Sequence, residues 1–336
     1  MKSNVAAAAL LLSLCGPALA QSALEVEQIG DGNTVDVQQV NIFMGSNDAS
    51  IRQQGTGNSA EMRQKGFIEA NAALEQIGHH NQAKVEQGGT VTDQTAVIRQ
   101  LGTGNIVESK QDGWEAFNTL NAIQTGTGNR VEALQDSFYG GSIATIGQSG
   151  DANEVRLDQS GGYGRSTAGI TQSGAGNLAE LNQQAGEASS TAMLLQEGMG
   201  NQAVVDQRAN SGNNLADLTQ RGDGNTAHIE QKSAFNEFES PADIFVSPSD
   251  TGNVSAVTVT GNGNDTTVIQ DSGSGRDNHY FVGKNLSEVS VTGSENTVSV
   301  RQTFNAGNTL YSGGNSSVVN IVGNGNSATV NQSFGP

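Results

Sequence analysis

Apolar and amide residues in this chain alternate with a period of two, in short segments that are interrupted by Gly-rich turns. Every second position before one such turn is Ala168, Ile170 and Gln172, and a second series begins after it with Asn177 and Ala179. A period of two places alternate side chains on opposite faces of a β-strand. The turn glycines tolerate positive φ, which a tight reversal requires. The pattern predicts a strand, a tight turn and a second strand.

This strand-turn-strand unit recurs along the chain with fixed spacing. It reads Gln, one residue, Gly, two residues, Asn, one residue, a small apolar residue, three residues, Gln, and its first full copy is Gln28, Gly30, Asn33, Val35 and Gln39. Further copies begin at Gln53 and Gln76 and then at a 24-residue step, at Gln100, Gln124, Gln148, Gln172, Gln196 and Gln220. In three last copies the leading Gln is replaced, by Val259, Val291 and Ile321. A Ser or Asn stands six residues before the leading position in ten of the twelve copies, with Ala70 and Gln94 as the exceptions.

One such unit cannot bury its own apolar face, whereas a stack of units buries a continuous core. Stacking places each inner amide above its equivalent in the next layer, where it can both donate and accept a hydrogen bond. The sequence therefore predicts an all-β fold, a β-solenoid of about twelve stacked repeats of cross-β, amyloid type. The predicted ladder of inner polar side chains comprises Ser22, Gln28, Asn33, Gln39, Gln53, Asn58, Gln64, Gln148, Asn153, Gln159, Gln172, Asn177, Gln183, Gln196, Asn201, Gln207, Asn326 and Gln332.

The chain divides into four predicted segments. Residues 1–20 have the features of a secretory signal peptide: Lys2, a short apolar stretch, and Ala18-Leu19-Ala20 before a cut at Gln21. Residues 12–15 also resemble a lipoprotein cleavage box apart from the bulky Leu14, so lipidation of Cys15 is an alternative. Nine regular repeats follow in residues 21–231, then an inserted loop in 232–252 and three divergent repeats with longer connections in 253–336. No second apolar run is long enough to span a membrane.

Composition excludes several classes of protein. The 336 residues include 44 Gly, 33 Asn and 28 Gln, and 34 acidic residues against 16 basic ones give a net charge of −18. A chain this acidic lacks the clustered Lys and Arg that nucleic acids and anionic lipids require. Aromatic residues such as Phe43, Trp114, Phe138 and Tyr163 lie in the connections, outside the motif.

Motifs for a cofactor, a metal or catalysis are better explained as turns of the repeat. Gly55 to Ala60 fits a dinucleotide-binding GxGxxA pattern, but it leads into period-two alternation and not into a helix. His79 and His80 occupy variable turn positions, and His228 and His279 do not complete a metal site. The turn acids Asp31, Asp151 and Asp223 lack the nonapeptide period of calcium β-rolls. We therefore expect no cofactor, no metal and no enzymatic activity.

The repeat closely resembles the curlin repeat of curli subunits. Ser22 to Gln39, Ser142 to Gln159, Ser166 to Gln183 and Ser190 to Gln207 match its order of Ser, Gln, Gly, Asn, Ala and Gln nearly in full. The resemblance implies a bacterial functional amyloid: a subunit exported through the outer membrane that polymerises at the cell surface and serves in biofilm matrix, adhesion and aggregation. It also implies that the inner Ser, Gln and Asn direct assembly, with outer-membrane export and nucleation partners. The replaced residues Val259, Val291 and Ile321 leave open whether this is a major or a nucleating subunit.

Two functions remain open at this point. A self-assembling fibre subunit is favoured because no capping helix or polar terminal unit is visible, and uncapped ends invite addition of another copy. A monomeric secreted β-solenoid adhesin, with its aromatic connections as the contact surface, is the alternative. Stacked outward acids such as Glu108 and Glu132 repel one another, so we also expect mild acid to speed assembly.

Overall fold

The computed structural model describes residues 9–12, 22–41, 46–66, 69–90, 93–209, 213–233, 252–272, 282–304 and 312–334. All regular elements in these ranges are strands, which confirms the all-β prediction. None of these ranges holds a helix with the length and apolar character needed to cross a membrane. Most of the predicted insertion, Phe43 and His279 lie outside the described residues. The chain forms two compact units, one of residues 1–161 with 169–177 and one of residues 162–168 with 178–336.

The strands of the first unit alternate between two parallel sheets. They are β1 (Ala9–Leu12), β2 (Ala23–Ile29), β3 (Thr34–Asn41), β4 (Ser46–Thr56), β5 (Ser59–Gly66), β6 (Glu69–His79), β7 (Gln82–Gly88), β8 (Asp93–Thr103), β9 (Ile106–Gly113), β10 (Phe117–Thr127), β11 (Arg130–Ser137), β12 (Gly141–Asp151) and β13 (Glu154–Gly161), while β14 (Arg165–Ala175) has residues in both units. Strands β2, β4, β6, β8, β10 and β12 pair in that order in one sheet, and β1 with the odd-numbered strands to β13 pair in the other.

The second unit repeats this arrangement. Its strands are β15 (Leu178–Ala185), β16 (Ser190–Met199), β17 (Gln202–Ala209), β18 (Asn214–Arg221), β19 (Thr226–Ser233), β20 (Gly252–Thr260), β21 (Asp265–Ser272), β22 (Val282–Thr292), β23 (Thr297–Phe304), β24 (Ser312–Gly313), β25 (Ser316–Val322) and β26 (Ser327–Phe334). Strands β16, β18, β20, β22 and β25 pair in one sheet, and β15, β17, β19, β21, β23 and β26 pair in the other.

Strand pairing follows the sequence repeat residue by residue. Gln124 of β10 lies in register with Gln100 of β8 and Gln148 of β12. The register holds across the insertion as well, because Leu218 of β18 pairs with Val257 of β20. The two strands of one repeat belong to different sheets, so each repeat is one layer of a parallel β-solenoid, as the spacing predicts.

The core of each unit lies between its two sheets. Every second residue of a strand is buried, as in the alternating burial of β10 and β11. Ile98, Leu120 and Val131 are at most 1 % exposed, and so are the amides Gln100 and Asn105. The core is therefore built from aliphatic side chains and amides in comparable numbers, which is why a chain so poor in large apolar residues can still bury a continuous interior.

One aromatic pair departs from the expectation that rings stay outside the stack. Phe304 is only 2 % exposed, and its ring stacks on that of Phe334 with centroids 5.3 Å apart and planes 8° apart. Ser272 occupies the same register position one layer earlier. A ring fits there because the following layer supplies a second ring in register, an arrangement that single-repeat patterns do not reveal.

Candidate assembly interface

The leading glutamines form a continuous hydrogen-bonded ladder in the first unit. Gln28 Nε2 donates to Gln53 Oε1 over 2.7 Å, and Gln53 Nε2 donates to Gln76 Oε1 over 2.7 Å. The ladder continues through Gln100, Gln124, Gln148 and Gln172 with bonds of 2.8 to 2.9 Å. Each amide donates towards the C-terminal layer and accepts from the N-terminal one, so the ladder has a direction.

The closing glutamines form a second ladder with the same direction. In the first unit Gln39, Gln64, Gln87, Gln111, Gln135 and Gln159 are linked by bonds of 2.8 to 2.9 Å. In the second unit the series is Gln183, Gln207, Gln231, Gln270, Gln302 and Gln332, again at 2.8 to 2.9 Å. The second hydrogen of each Nε2 is used on a backbone carbonyl, as in Gln302 to Leu286 at 2.9 Å. Buried amides are thereby satisfied, which removes the main cost of placing them in a core.

The turn asparagines form a third ladder, which runs in the opposite direction. The backbone N–H and the Nδ2 of Asn58 both donate to Asn33 Oδ1, over 3.0 and 3.1 Å. The other Nδ2 hydrogen of Asn58 reaches the carbonyl of Gly78 in the following layer at 3.0 Å. Asn153 and Asn177 continue the first unit's ladder, and Asn201, Asn225, Asn264, Asn296 and Asn326 form that of the second.

The small polar column at the start of each repeat is a ladder only from Asn214 onward, where Asn253, Asn285 and Asn315 each donate Nδ2 to the preceding Asn Oδ1 over 3.0 to 3.3 Å. The described earlier layers lack it. Asn47 donates its backbone N–H to Ser22 Oγ at 3.4 Å, but its buried side-chain amide has no partner among the described residues. Ala70 follows Asn47 in register and offers no hydrogen-bonding group. Ser166 and Ser190 also have buried hydroxyls without a partner in the described part of the chain. Of the predicted ladder residues, Ser22 lies in this column and accepts the backbone N–H of Asn47.

The leading column changes chemistry in the last three repeats. Val259 and Val291 are fully buried and Ile321 is 8 % exposed, each in the register position of a Gln. Gln220 borders this change and directs its Nε2 to the carbonyls of Gln202 and Asn225, at 3.0 and 3.2 Å. A Gln followed by an aliphatic layer therefore keeps its donors satisfied.

The Gly turns allow the layers to approach closely. A Cβ added to Gly102 would lie 2.1 Å from the carbonyl oxygen of Gly126, and Gly102 has φ +120°. The third turn position is left-handed too, and there His80, Ala152 and Glu295 take the place of Gly with φ of 53° to 58°. Gly is thus required at the first turn position for space and preferred at the third for conformation.

Outward charges pair along the stack. Arg52 bridges Glu27 and Glu75 with 3.1 Å contacts to each, and Glu75 also binds Arg99 at 2.7 Å. Glu108 and Glu132 are in register as expected, and Arg130 contacts both.

Among the described residues, three carboxyls have displaced pKa values. A hydrogen bond from Lys84 lowers the pKa of Glu86, and one from Lys232 lowers the pKa of Glu230. Partial burial raises the pKa of Asp158, and the charge of Asp136 adds to this shift.

The first layer of the stack leaves one ladder group without a hydrogen-bond partner among the residues that the structure describes. Gln39 Oε1 is buried and accepts no hydrogen bond from the described residues. Strand β1 pairs in parallel with β3 at this end, with Ala9 opposite Asp36 and Leu12 opposite Gln39. The edge of β3 therefore accepts a parallel strand.

Comparison with known proteins identifies the repeat. The family model of the curlin associated repeat matches residues 46–89 and 212–236, which confirms the resemblance drawn from the spacing. No curated protein matches the chain. The repeat and the β-solenoid fold point to a curli-type structural protein.

Proposed function

We propose that this chain is a secreted subunit that assembles into extracellular curli-like amyloid fibres for biofilm matrix, adhesion and aggregation. Growth proceeds by templated addition of a strand at uncapped ends of the solenoid. The partner is another copy of the chain, reached after outer-membrane export and with the help of a nucleation partner. The inner Gln and Asn of the assembly ladder carry the recognition.

The observation that carries this proposal is the open end of the closing-Gln ladder. Gln39 presents an unpaired Oε1 in the first layer, and Gln332 in the last layer has an Nε2 with one hydrogen on Ser316 O at 2.8 Å and a second hydrogen to donate. The acceptor at one end and the donor at the other are complementary, so a second copy continues the ladder in the same direction. Removal of residues 1–20 would withdraw β1 and leave the edge of β3 open to such a copy.

The test uses residues 21–336, diluted from denaturant and left at micromolar concentration without seeds. We expect fibres by electron microscopy, with reflections at about 4.7–4.8 Å and about 10 Å from aligned samples. Spontaneous growth in bulk is expected of a major subunit, whereas a minor nucleator would need the major chain. A β-rich monomer that stays in solution during sedimentation would overturn the proposal.

A monomeric adhesin is the second candidate, and exposed aromatic side chains favour it. Trp114, Phe138 and Tyr139 are 49 %, 47 % and 39 % exposed, with ring centroids 5.8 Å apart for the first pair and 4.7 Å for the second. Exposed aromatic clusters are common in binding surfaces. This candidate predicts a monomer whose binding to cells falls when Trp114 and Phe138 are replaced by Ala.

A further inference from the structure

The leading amide column differs between the two terminal layers, although the other two ladders match. Gln28 donates its Nε2 inward to Gln53, so its Oε1 faces out of the stack. At the other end the same column holds Ile321, in register with Val291. An aliphatic side chain has no N–H to offer to a neighbouring amide.

We infer that, where two copies join head to tail, the closing-Gln ladder and the turn-Asn ladder pass through the joint, whereas the leading-Gln ladder stops there. The Gln28 carbonyl of the following copy then lies opposite Ile321 with no hydrogen-bond donor. This inference rests on the proposed self-assembly and specifies its partner surface, residue by residue.

Register places the pairs at the joint. Gln332 lies in register with Gln302, and Ile321 with Val291, in the last two layers. One more layer in the same register, supplied by a second copy, sets its Gln39 against Gln332 and its Gln28 against Ile321. The turn asparagines Asn33 and Asn326 meet in the same way.

The directions of donation are complementary in both matching columns. Gln332 has an Nε2 hydrogen for Gln39 Oε1 of the next copy, as Gln302 has for Gln332 at 2.8 Å. Asn326 has an Oδ1 for the N–H and Nδ2 of the next Asn33, as Asn296 has for Asn326 at 2.9 and 3.1 Å. Reversing one copy would oppose like groups, so these columns also fix the polarity of addition.

Inside the chain an amide layer is followed by an aliphatic layer, whereas at the joint an aliphatic layer is followed by the amide of Gln28. Gln220 precedes an aliphatic layer, and its donors find backbone carbonyls. At the joint an aliphatic layer precedes an amide, and the group left over is an acceptor whose natural donor belongs to the missing Gln. A buried acceptor without a donor raises the free energy of the joint and makes the addition of each copy more reversible.

A pair of variants isolates this defect. The triple variant Val259→Gln, Val291→Gln, Ile321→Gln extends the leading ladder from Gln220 to the end of the chain, so that it meets Gln28 of the next copy. The matched control, Val259→Gln with Val291→Gln, restores the same internal ladder but keeps Ile321 at the joint. We expect the triple variant to have a critical concentration for fibre growth about tenfold below that of the control, equivalent to about 1.4 kcal/mol.

Equal critical concentrations for the two variants would overturn the inference while leaving self-assembly intact. Failure of the unchanged chain to form fibres would instead remove the proposed function, and this inference with it.

A measurement on unchanged fibres does not depend on how the variants fold. Fibres grown from an equal mixture of ¹⁵N-labelled and ¹³C-labelled chains report contacts between copies by solid-state NMR. We expect the side-chain carbonyl carbon of Gln39 to contact Gln332 Nε2 of the neighbouring copy, and that of Gln28 to contact no nitrogen-bearing side chain of that copy. A neighbouring side-chain amide at Gln28, or none at Gln39, would overturn the inference.

Discussion

Asn105 places two hydrogen bonds on a single atom of Asn81, donating from its backbone N–H at 3.0 Å and from its Nδ2 at 3.1 Å to Asn81 Oδ1. Its remaining Nδ2 hydrogen reaches Gly126 O at 3.0 Å, so one side chain links three consecutive layers. Both residues are fully buried. Loss of the side-chain N–H donors of a turn asparagine should therefore strongly lower the stability of the stack.

Replacing Asn105 with Asp tests this role without changing side-chain size. The carboxylate would face the carbonyl oxygens of Asn81 and Gly126 in place of two donors, and it would be buried. We expect a loss of about 3–5 kcal/mol in the free energy of unfolding, because a buried charge without a partner is strongly destabilising. Urea titration followed by circular dichroism measures it.

The control is Asn320→Asp, an exposed position on β25 that lies opposite the uncharged Ser290. We expect a change within about 0.5 kcal/mol there. Similar losses at the two positions would mean that the Asn ladder contributes little.

Three Gly→Ala changes separate close approach from backbone conformation. A Cβ on Gly102 meets Gly126 O, whereas Gly104 has φ +66° with nothing within 4 Å, and Gly147 has open space and no positive φ. We expect severe destabilisation for Gly102→Ala and a loss of about 1–2 kcal/mol for Gly104→Ala. Gly147→Ala should be neutral or stabilising by up to about 1 kcal/mol. Thermal unfolding of the three variants gives the order, and equal effects at Gly102 and Gly104 would exclude close approach as the cause.

At turn positions where a residue other than Gly has a positive φ, substitution by Gly should stabilise the folded chain. Ala152 has φ +53° at the turn position that Gly176 fills one repeat later. Ala152→Gly removes the strain of this conformation, about 1–2 kcal/mol, but makes the unfolded chain more flexible, at about 0.4–1 kcal/mol. We expect a net gain in stability of about 0.5–1 kcal/mol.

Ala175, in the turn of the next repeat, supplies the control, since its φ is not positive. Ala175→Gly should lower the free energy of unfolding, because it makes the unfolded chain more flexible and removes no backbone strain from the folded chain. Differential scanning calorimetry distinguishes the two signs, and a fall in melting temperature for both variants would count against strain at Ala152.

How far the sequence predicts this structure differs between its parts. The period-two alternation and the constant spacing of Gln28, Gly30 and Asn33 determine strands, turns and register, because a one-residue slip would expose the amides. The spacing does not determine the direction of each ladder, which depends on which way the amides of Gln39 and Asn33 rotate against neighbouring layers. The motif does not predict the stacking of Phe304 on Phe334, since both rings lie two residues after the closing Gln and outside the repeat pattern. A search for residues that recur at equal offsets after the closing Gln would have found them.

As the pH falls from neutral, the stability of the folded chain should first rise and then, below the usual pKa range of Glu, fall. Burial and the charge of Asp136 raise the pKa of Asp158, so the folded chain binds this proton more readily than the unfolded chain does. Stability therefore rises as the pH falls from neutral through that raised value. Lys84 lowers the pKa of Glu86, and Lys232 that of Glu230, so their contribution persists in mild acid and is lost only below the usual range of Glu.

These signs predict higher stability and faster fibre growth in mild acid than at alkaline pH, which a comparison of pH 5 with pH 8 tests. Asp158→Asn should raise stability at pH 8 and reduce the difference between the two pH values, because the group that gains the proton is gone. Urea midpoints and thioflavin T growth rates at both pH values test this for the unchanged chain and the variant. Growth that is equal or slower at pH 5, or a pH response that Asp158→Asn leaves unchanged, would show that the ionisation of Asp158 does not limit assembly.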